Sequence, residues 1–188
     1  MTISVNIMTK ISALPKNPLV VTLAYDGLCT FEFGVAVEIF GLPRPELGES
    51  WYRFAVAGIE PGELRAMGGI RLAVDGGLGL LAEASLIIVP GWRGIDQPVP
   101  ESLITALRAA HARGTRLMSI CSGVFVLAAT GLLDGKQATT HWRYTEPLQA
   151  RYPGIEVIPD VLYLDNGDVL TSACIWCAGI LVPPQQTA

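Results

Sequence analysis

The segment around Cys121 carries the strongest chemical signal in the sequence. The apolar run Arg116–Ile120 is typical of a buried strand and leads directly into Cys121, and a helix is predicted to begin at Ser122. A sharp strand-to-helix turn of this kind is typical of a nucleophile elbow, in which the side chain stands above the sheet. The small residues Ser122 and Gly123 let a partner approach closely, and the helix N-terminus favours a thiolate. We predict a reactive thiol at Cys121, and the alternative is a buried, inert cysteine.

A second candidate is Glu32, which lies between Phe31 and Phe33 near the start of the first predicted helix. An acid in this setting is either a partner of the helix N-terminus or a buried acid with a raised pKa. A solvated glutamate of the first helical turn is the alternative. The position after the first predicted strand keeps Glu32 among the candidate site residues.

His141 and the turn at Gly91 complete the predicted site. His141 follows the predicted elbow helix by a short loop, so it could return towards Cys121, whereas His111 is expected at the surface. Gly91 ends an apolar strand and precedes Trp92, and a glycine there can turn its N–H towards a pocket and contribute to an oxyanion hole. The alternatives are an ordinary loop histidine and an ordinary Pro-Gly turn.

Two further cysteines, Cys174 and Cys177, form a C-x-x-C pair. Such a pair can be redox-active or half of a zinc site. The sequence has no second pair and no histidine close by, which disfavours zinc, so we predict no metal. A redox motif of the thioredoxin type should open a well-formed helix, but Pro183-Pro184 follows within a few residues.

Strands and helices alternate along the chain. Strands are predicted at 19–24, 52–57, 86–89 and 116–120, with a small β excursion at 65–74 and a hairpin of 161–165 and 168–171; helices are predicted at 30–40, 101–113, 122–129 and 143–151. Short apolar strands alternating with helices predict an α/β fold with a mostly parallel sheet covered on both faces. The segment Pro90–Pro100 then lies at the carboxyl end of a strand, where open α/β sheets bind ligands.

Composition limits the classes of protein that fit this chain. Its 188 residues suit one domain, and 51% are hydrophobic while 16% are charged, which argues against disorder. The net charge of −4, with 13 Lys and Arg, is a poor match for nucleic acid. The longest uncharged apolar stretch, Leu117–Leu133, is too short for a bilayer span. Because Met1–Pro15 has no signal-peptide pattern, the four cysteines are expected as free thiols in the cytoplasm.

Several motifs together resemble the ThiJ/PfpI superfamily. The resemblance covers about residues 19–172 and rests on Glu32 followed by Glu38-Ile39-Phe40, the strand end Val89-Pro90-Gly91, SICSG at 119–123 and AATGLLDGKQATTHW at 128–142. It implies a flavodoxin-like three-layer sandwich of the class I glutamine amidotransferase-like type. The stretch 119–142 is especially similar to the sensor domain of GlxA-type AraC-family transcription regulators, and the segment YDGLCTFEFGVAVEIFGLPRPE resembles the FtrA type.

The resemblance assigns roles to individual residues. Cys121 matches the elbow cysteine, and Glu32 matches an acid whose protonated carboxyl hydrogen-bonds the sulfur. The resemblance also gives backbone positions around the sulfur and a histidine whose catalytic role differs between branches, and these match Gly91, Trp92, Ser122 and His141. Peptidase activity is disfavoured, because the protease-like branch has a histidine where Ser122 stands.

The ends of the chain divide it into three predicted parts: a flexible leader at 1–18, a ThiJ/PfpI-like domain at 19–173 and an atypical, truncated tail at 174–188 without a helix-turn-helix. The resemblance implies a homodimer that binds an unknown small molecule, with no direct contact to nucleic acid or membrane and no cofactor. Two functions remain open: a ligand- or redox-sensing domain without its DNA-binding half, and a stand-alone cysteine-dependent lyase or hydrolase, isocyanide-hydratase-like or glyoxalase/deglycase-like. A degenerate structural remnant is a third possibility.

Overall fold

A six-stranded sheet forms the centre of the computed structural model, which describes residues 17–46 and 51–173. Its strands, in spatial order, are β2 (Arg53–Gly58), β1 (Leu19–Ala24), β5 (Leu86–Pro90), β6 (Arg116–Ile120), β10 (Val169–Ser172) and β9 (Tyr163–Asp165). Every neighbouring pair is parallel except β10 with β9, which is antiparallel. Two small two-stranded sheets pair β3 (Leu64–Arg65) with β4 (Arg71–Leu72) and β7 (Gln137–Ala138) with β8 (Glu156–Val157).

Helices cover both faces of the sheet. They are α1 (Thr30–Ala36), α2 (Glu101–Ala112), α3 (Val124–Ala129) and α4 (Thr145–Arg151). On one face Ala36 of α1 packs with Val20 and Met118, and on the other Leu103 of α2 belongs to the same core cluster as Val21. Successive strand residues therefore point into opposite cores, which is why the strands are apolar throughout. The predicted mostly parallel α/β fold with flavodoxin-like layering is confirmed.

The boundaries of several elements differ from the prediction. α1 ends at Ala36, and a π-helical turn at Val37–Gly41 takes the place of its predicted last turn. The elbow helix begins two residues late, at Val124, because Cys121–Gly123 form a 3₁₀ turn first. The 3₁₀ turn at Leu78–Ala82 was not predicted, since it has no clear periodicity. Among the described residues, no helix is long and apolar enough to cross a membrane.

His111 is not the free surface residue that the sequence predicted. Its Nε2 lies 2.7 Å from Oδ2 of Asp168, which also accepts a hydrogen bond from Lys136 at 2.5 Å. Partial burial raises the pKa of Asp168, but the hydrogen bonds from Lys136 and His111 outweigh it and leave that pKa below its ordinary value. His111 thus holds the end of α2 to the amino end of β10. Cys121 lies at the opposite end of the parallel strands, beyond the carboxyl end of β6.

The turn that follows β6 packs so closely against the carboxyl end of β5 that it leaves no room for a side chain at position 123. A Cβ atom on Gly123 would lie 2.2 Å from the carbonyl oxygen of Val89 and 3.2 Å from the backbone nitrogen of Gly91. The Gly91 N–H donates to the Ile120 carbonyl at 3.0 Å, which ties the two strand ends together. Position 123 therefore accepts only glycine without a shift of the backbone.

We expect Gly123→Ala to lower the free energy of unfolding by about 2–3 kcal/mol, because the new methyl group overlaps backbone that cannot move aside. Denaturant unfolding measures this loss. Gly34→Ala is the control, since that glycine lies in α1 and a Cβ atom added there would meet nothing within 4 Å, so alanine should be neutral or stabilise by up to about 1 kcal/mol. Equal effects of the two substitutions would contradict the close approach at Gly123.

Candidate functional site

Cys121 occupies a strained turn at the carboxyl end of the sheet. It follows the last residue of β6 and has a φ of +56°, one of three positive φ values among the described non-glycine residues. For a residue with a Cβ atom, this conformation costs on the order of 1 kcal/mol of conformational free energy. It persists only where the surrounding structure imposes it. Two contacts impose this conformation. Gly123 packs directly against the Val89 carbonyl, and Thr140 Oγ1 donates a hydrogen bond to the Cys121 carbonyl at 2.8 Å.

Two groups act directly on the Cys121 thiol. The side chain of Glu32 is within hydrogen-bonding reach of the sulfur, and the Ser122 backbone N–H donates to it. Glu32 lies in the first turn of α1, which begins just beyond β1, so a residue from the first helix meets the end of β6. The structure thus brings together Cys121, Glu32 and Ser122, the three residues that the resemblance placed around the sulfur.

The protonation of Cys121 differs from the expectation. Burial raises the pKa of the Cys121 thiol to about 12, and the charge of Glu32 adds to the rise, while the hydrogen bond from Ser122 opposes it. The sequence predicted the opposite shift, from the N-terminus of the following helix. That prediction is wrong because burial and the neighbouring acid outweigh the hydrogen bond from Ser122, which alone favours the thiolate.

The N–H groups of Gly91 and Trp92 are already occupied. Gly91 donates to Ile120, and Trp92 donates to Oγ of Ser122 at 2.9 Å. They therefore do not serve as free oxyanion donors in this conformation, contrary to the expectation for Gly91. Trp92 instead fixes the position of the Ser122 side chain beside Cys121, and Ser122 supplies the backbone N–H that reaches the sulfur.

A second thiol belongs to the site, at Cys29. It is half-buried at the N-cap of α1, and its Sγ lies 3.7 Å from the Trp92 carbonyl oxygen. Burial raises the pKa of Cys29, and the charge of Glu32 raises it further. Tyr25, fully buried at the end of β1, interacts with the Cys29 thiol and donates its hydroxyl to the Pro90 carbonyl at 2.9 Å.

Two aromatic rings and a guanidinium group, from Tyr25, Trp92 and Arg93, pack together next to Cys29. The rings of Tyr25 and Trp92 lie 4.9 Å apart, and the guanidinium of Arg93 lies over both, 5.4 Å and 4.8 Å from their centroids. Arg93 pairs with Glu60, which also accepts the Asp26 backbone N–H. The loop after β5 is thereby held against the loop after β1, and this confirms that Pro90–Pro100 lies at the carboxyl edge of the sheet.

His141 bonds within its own loop. Its Nδ1 accepts the Arg143 N–H at 3.3 Å, and its ring packs 5.3 Å from that of Trp142, which is 73% exposed. The described hydrogen bond of His141 is thus made to its own loop. The preceding residue, Thr140, makes the bond to the Cys121 backbone.

Sequence reasoning did not assign Cys29 or Thr140 to the site. Cys29 lies three residues before Glu32, one helical turn away, and this spacing could have indicated that both side chains share a face. Thr140 had no such signal, because its role depends on where the loop returns. Cys174 and Cys177 lie outside the described residues. Within 17–46 and 51–173, no three His, Cys, Asp or Glu side chains group as metal ligands.

Comparisons with known proteins identify relatives of this chain. The regulator GbdR of Pseudomonas aeruginosa is 26% identical over 150 residues, which cover 80% of this chain and 41% of GbdR. The regulator GlxA of Rhizobium meliloti is 40% identical over 83 residues, or 44% of this chain and 26% of GlxA. The chain thus spans less than half the length of these regulators. An isonitrile hydratase of Pseudomonas putida is 39% identical over 75 residues, 39% of this chain and 31% of that enzyme.

A solved structure shares the fold. The AraC family transcriptional regulator from Pseudomonas putida superimposes with a TM-score of 0.73 at 21% identity, over 87% of this chain and 88% of that one. The model of the DJ-1/PfpI family matches residues 19–176, which include the whole central sheet and every site residue described above. The resemblance to the ThiJ/PfpI superfamily and to AraC-type regulators is confirmed, and the chain belongs to the DJ-1/PfpI family.

Proposed function

We propose that this domain senses a small electrophilic ligand or an oxidant through Cys121, in the manner of the sensor half of FtrA- and GlxA-type AraC regulators. The observation that carries the proposal is that the regulator GbdR is 26% identical to this chain over 150 residues, which cover four fifths of it. A modified Cys121 would press on Glu32, Ser122 and the Trp92 loop, which together surround the sulfur. Such a local change can be transmitted to a partner domain or subunit.

The protonated state of Cys121 favours sensing over rapid turnover. With a pKa of about 12, about one thiol in 10⁵ is ionised at pH 7, whereas the thiolate is the reactive form. An enzyme whose thiol must ionise in every catalytic cycle is slowed by this small ionised fraction. A sensor needs the thiol to react only once for each signal. Glu32 can lower the cost by accepting the thiol proton during the reaction, since its side chain is in contact with the sulfur.

A cysteine-dependent lyase or hydrolase is the second candidate, favoured by the similarity to isonitrile hydratase. In that case Cys121 attacks an electrophilic carbon, Glu32 takes and returns the proton, and the Ser122 N–H stabilises the developing negative charge. Gly91, Gly123 and Trp92 then shape the ligand site by holding this constellation, and His141 bonds within its own loop. A peptidase is disfavoured, since Ser122 replaces the histidine of the protease-like branch.

The role of Glu32 is tested by Glu32→Gln, which removes the negative charge and keeps the shape. Because that charge raises the pKa of Cys121, its loss lowers the pKa and increases the thiolate at a fixed pH. We expect Cys121 to be alkylated by iodoacetamide about three- to tenfold faster at pH 8, because this reagent reacts with the thiolate already present and does not depend on proton transfer to Glu32. Mass-spectrometric peptide mapping gives the rate. Glu38→Gln, at an exposed acid in the next turn, is the control. Unchanged alkylation in Glu32→Gln would show that the two groups are not coupled.

Sensing and catalysis are distinguished by following the full 188-residue protein with an excess of an isonitrile and, separately, of methylglyoxal. A sensor is expected to form at most one adduct at Cys121 without sustained product release, and Cys121→Ala is expected to form none. Product that accumulates beyond one equivalent, and is lost in Cys121→Ala, would instead establish the enzyme.

We also propose that the domain forms a homodimer through an exposed apolar surface beside Glu32. Phe31, Met67 and Ile70 are 67%, 54% and 50% exposed. Their segments are joined by the hydrogen bond from Thr30 Oγ1 to the Met67 carbonyl at 2.6 Å. Clustered exposed apolar side chains of this kind are typical of interfaces.

Sedimentation equilibrium tests this assembly. We expect a dimer, and we expect Phe31→Glu to weaken it at least tenfold by placing a charge in the interface. Leu162→Glu, at a 58% exposed position near the other edge of the sheet, is the control and should leave the association unchanged. A wild-type protein that remains monomeric at high concentration would exclude the proposed interface.

A further inference from the structure

Cys29 packs against Gly91, a residue without a side chain whose neighbours include the residues on both sides of Cys121. A Cβ on Gly91 would lie 2.7 Å from Cys29 Sγ, so the sulfur fills the space where a side chain at position 91 would stand. The same Cβ would lie 3.6 Å from Oγ of Ser122, and the Gly91 N–H bonds Ile120. Ile120 and Ser122, the residues on either side of Cys121, thus both contact Gly91. The Cys29 sulfur lies on the side of Gly91 where a side chain would project.

Glu32 connects the two thiols electrostatically. Its charge acts on both sulfurs, and the charge of an ionised Cys29 would itself raise the pKa of Cys121, so the three groups share one local environment. Both cysteines are partly accessible and not fully buried. Cys29 is the N-cap residue of α1, and Cys121 directly follows the last residue of β6.

We propose that Cys29 is a resolving thiol, which condenses with Cys121 after a hydroperoxide has oxidised it and thereby forms a reversible Cys29–Cys121 disulfide. The inference rests on the proposed function and names its signal as a hydroperoxide. It also gives Cys29 a purpose that neither the sensing nor the enzymatic alternative requires. The disulfide would draw the start of α1 towards the end of β6, next to the exposed surface of Phe31 and Met67.

The chemistry proceeds in two balanced steps. Cys121 sulfur attacks the nearer peroxide oxygen, the O–O bond breaks, and the thiol proton leaves with the other oxygen as water or an alcohol; the product is a sulfenic acid. Cys29 sulfur then attacks the sulfenic sulfur, an S–S bond forms, and the displaced hydroxide takes the Cys29 proton to leave as water. Glu32, whose side chain reaches the Cys121 sulfur, lies where it can carry the proton in the first step. Overall, two thiols and one peroxide give one disulfide, and the peroxide is reduced.

Competition between two fates of the sulfenic acid decides the outcome. A resolving thiol close by captures it as a disulfide that dithiothreitol reduces, whereas an isolated sulfenic acid is oxidised further to a sulfinic acid that dithiothreitol does not reduce. Because the pKa values of both thiols are raised, each step should quicken as the pH rises from about 7 to 9.

The test treats the full-length protein with hydrogen peroxide at about pH 8 and compares wild type, Cys29→Ser, Cys29→Ala and Cys121→Ser. Trypsin places Cys29 in peptide 17–53, Cys121 in 117–136 and the remaining two cysteines together in 152–188, so each pairing has its own mass. Thermal unfolding of each variant before oxidation confirms that it is folded. The use of both serine and alanine at position 29 guards against one of them failing to fold.

In wild type we expect a cross-link between peptides 17–53 and 117–136 that dithiothreitol removes. It should be absent from every variant, and sulfinic acid at Cys121 should form about tenfold faster in Cys29→Ser and Cys29→Ala than in wild type. Sulfinic acid formed equally fast in wild type, a cross-link from Cys121 to 152–188, or no oxidation of Cys121 would each overturn the inference. Alkylation of Cys121 by iodoacetamide, measured in parallel, separates this failure from failure of the proposed function, which requires only a reactive Cys121.

Discussion

The contact between Gly123 and the Val89 carbonyl is the constraint on which the site depends. Without a side chain at 123, the turn after β6 lies directly against β5, and the chain must leave the strand through a residue with positive φ. That residue is Cys121. The hydrogen bond from Gly91 to Ile120 and the one from Thr140 to Cys121 hold the turn from its two sides. The strain at Cys121 is thus imposed by packing that does not involve its own side chain.

This arrangement determines the chemistry of the thiol. The turn directs the Cys121 sulfur to Glu32, one acid in a setting formed largely by apolar and backbone groups. Burial and a neighbouring negative charge keep the thiol protonated, and the single N–H from Ser122 only partly offsets them. The thiol is therefore held in its less reactive form beside Glu32, and the proposed sensing function rests on this arrangement.

The parts of the fold that depend on local pattern were predictable. The apolar runs of β1, β5 and β6 and the amphipathic α2 appear within one residue of their predicted ends, because their burial follows directly from composition and spacing. The pairing of Cys121 with Glu32 was expected from the resemblance to the ThiJ/PfpI superfamily and not from local pattern. Leu170, in the second strand of the predicted hairpin, is buried with Met118 in the core under α1.

The features of the site that could not be predicted from the sequence depend on contacts between distant segments. The direction of the pKa shift at Cys121 results from how much protein surrounds the sulfur, which no local pattern reports. The occupied N–H groups of Gly91 and Trp92, and the bond from Thr140, require knowledge of which loops meet. Cys29 was visible as a cysteine, but only the missing side chain at Gly91 reveals that its sulfur faces the site.

The central claim is that Cys121 is a protonated thiol held by burial and Glu32. Selective ¹³C labelling of the cysteine β-carbons, with Cys121→Ser to assign the signal, follows its ionisation directly by NMR across a pH titration. The structure predicts that the Cys121 signal keeps its thiol position to about pH 10, since its pKa lies at about 12. A midpoint at or below about 8.5, the ordinary value for cysteine, would contradict the account.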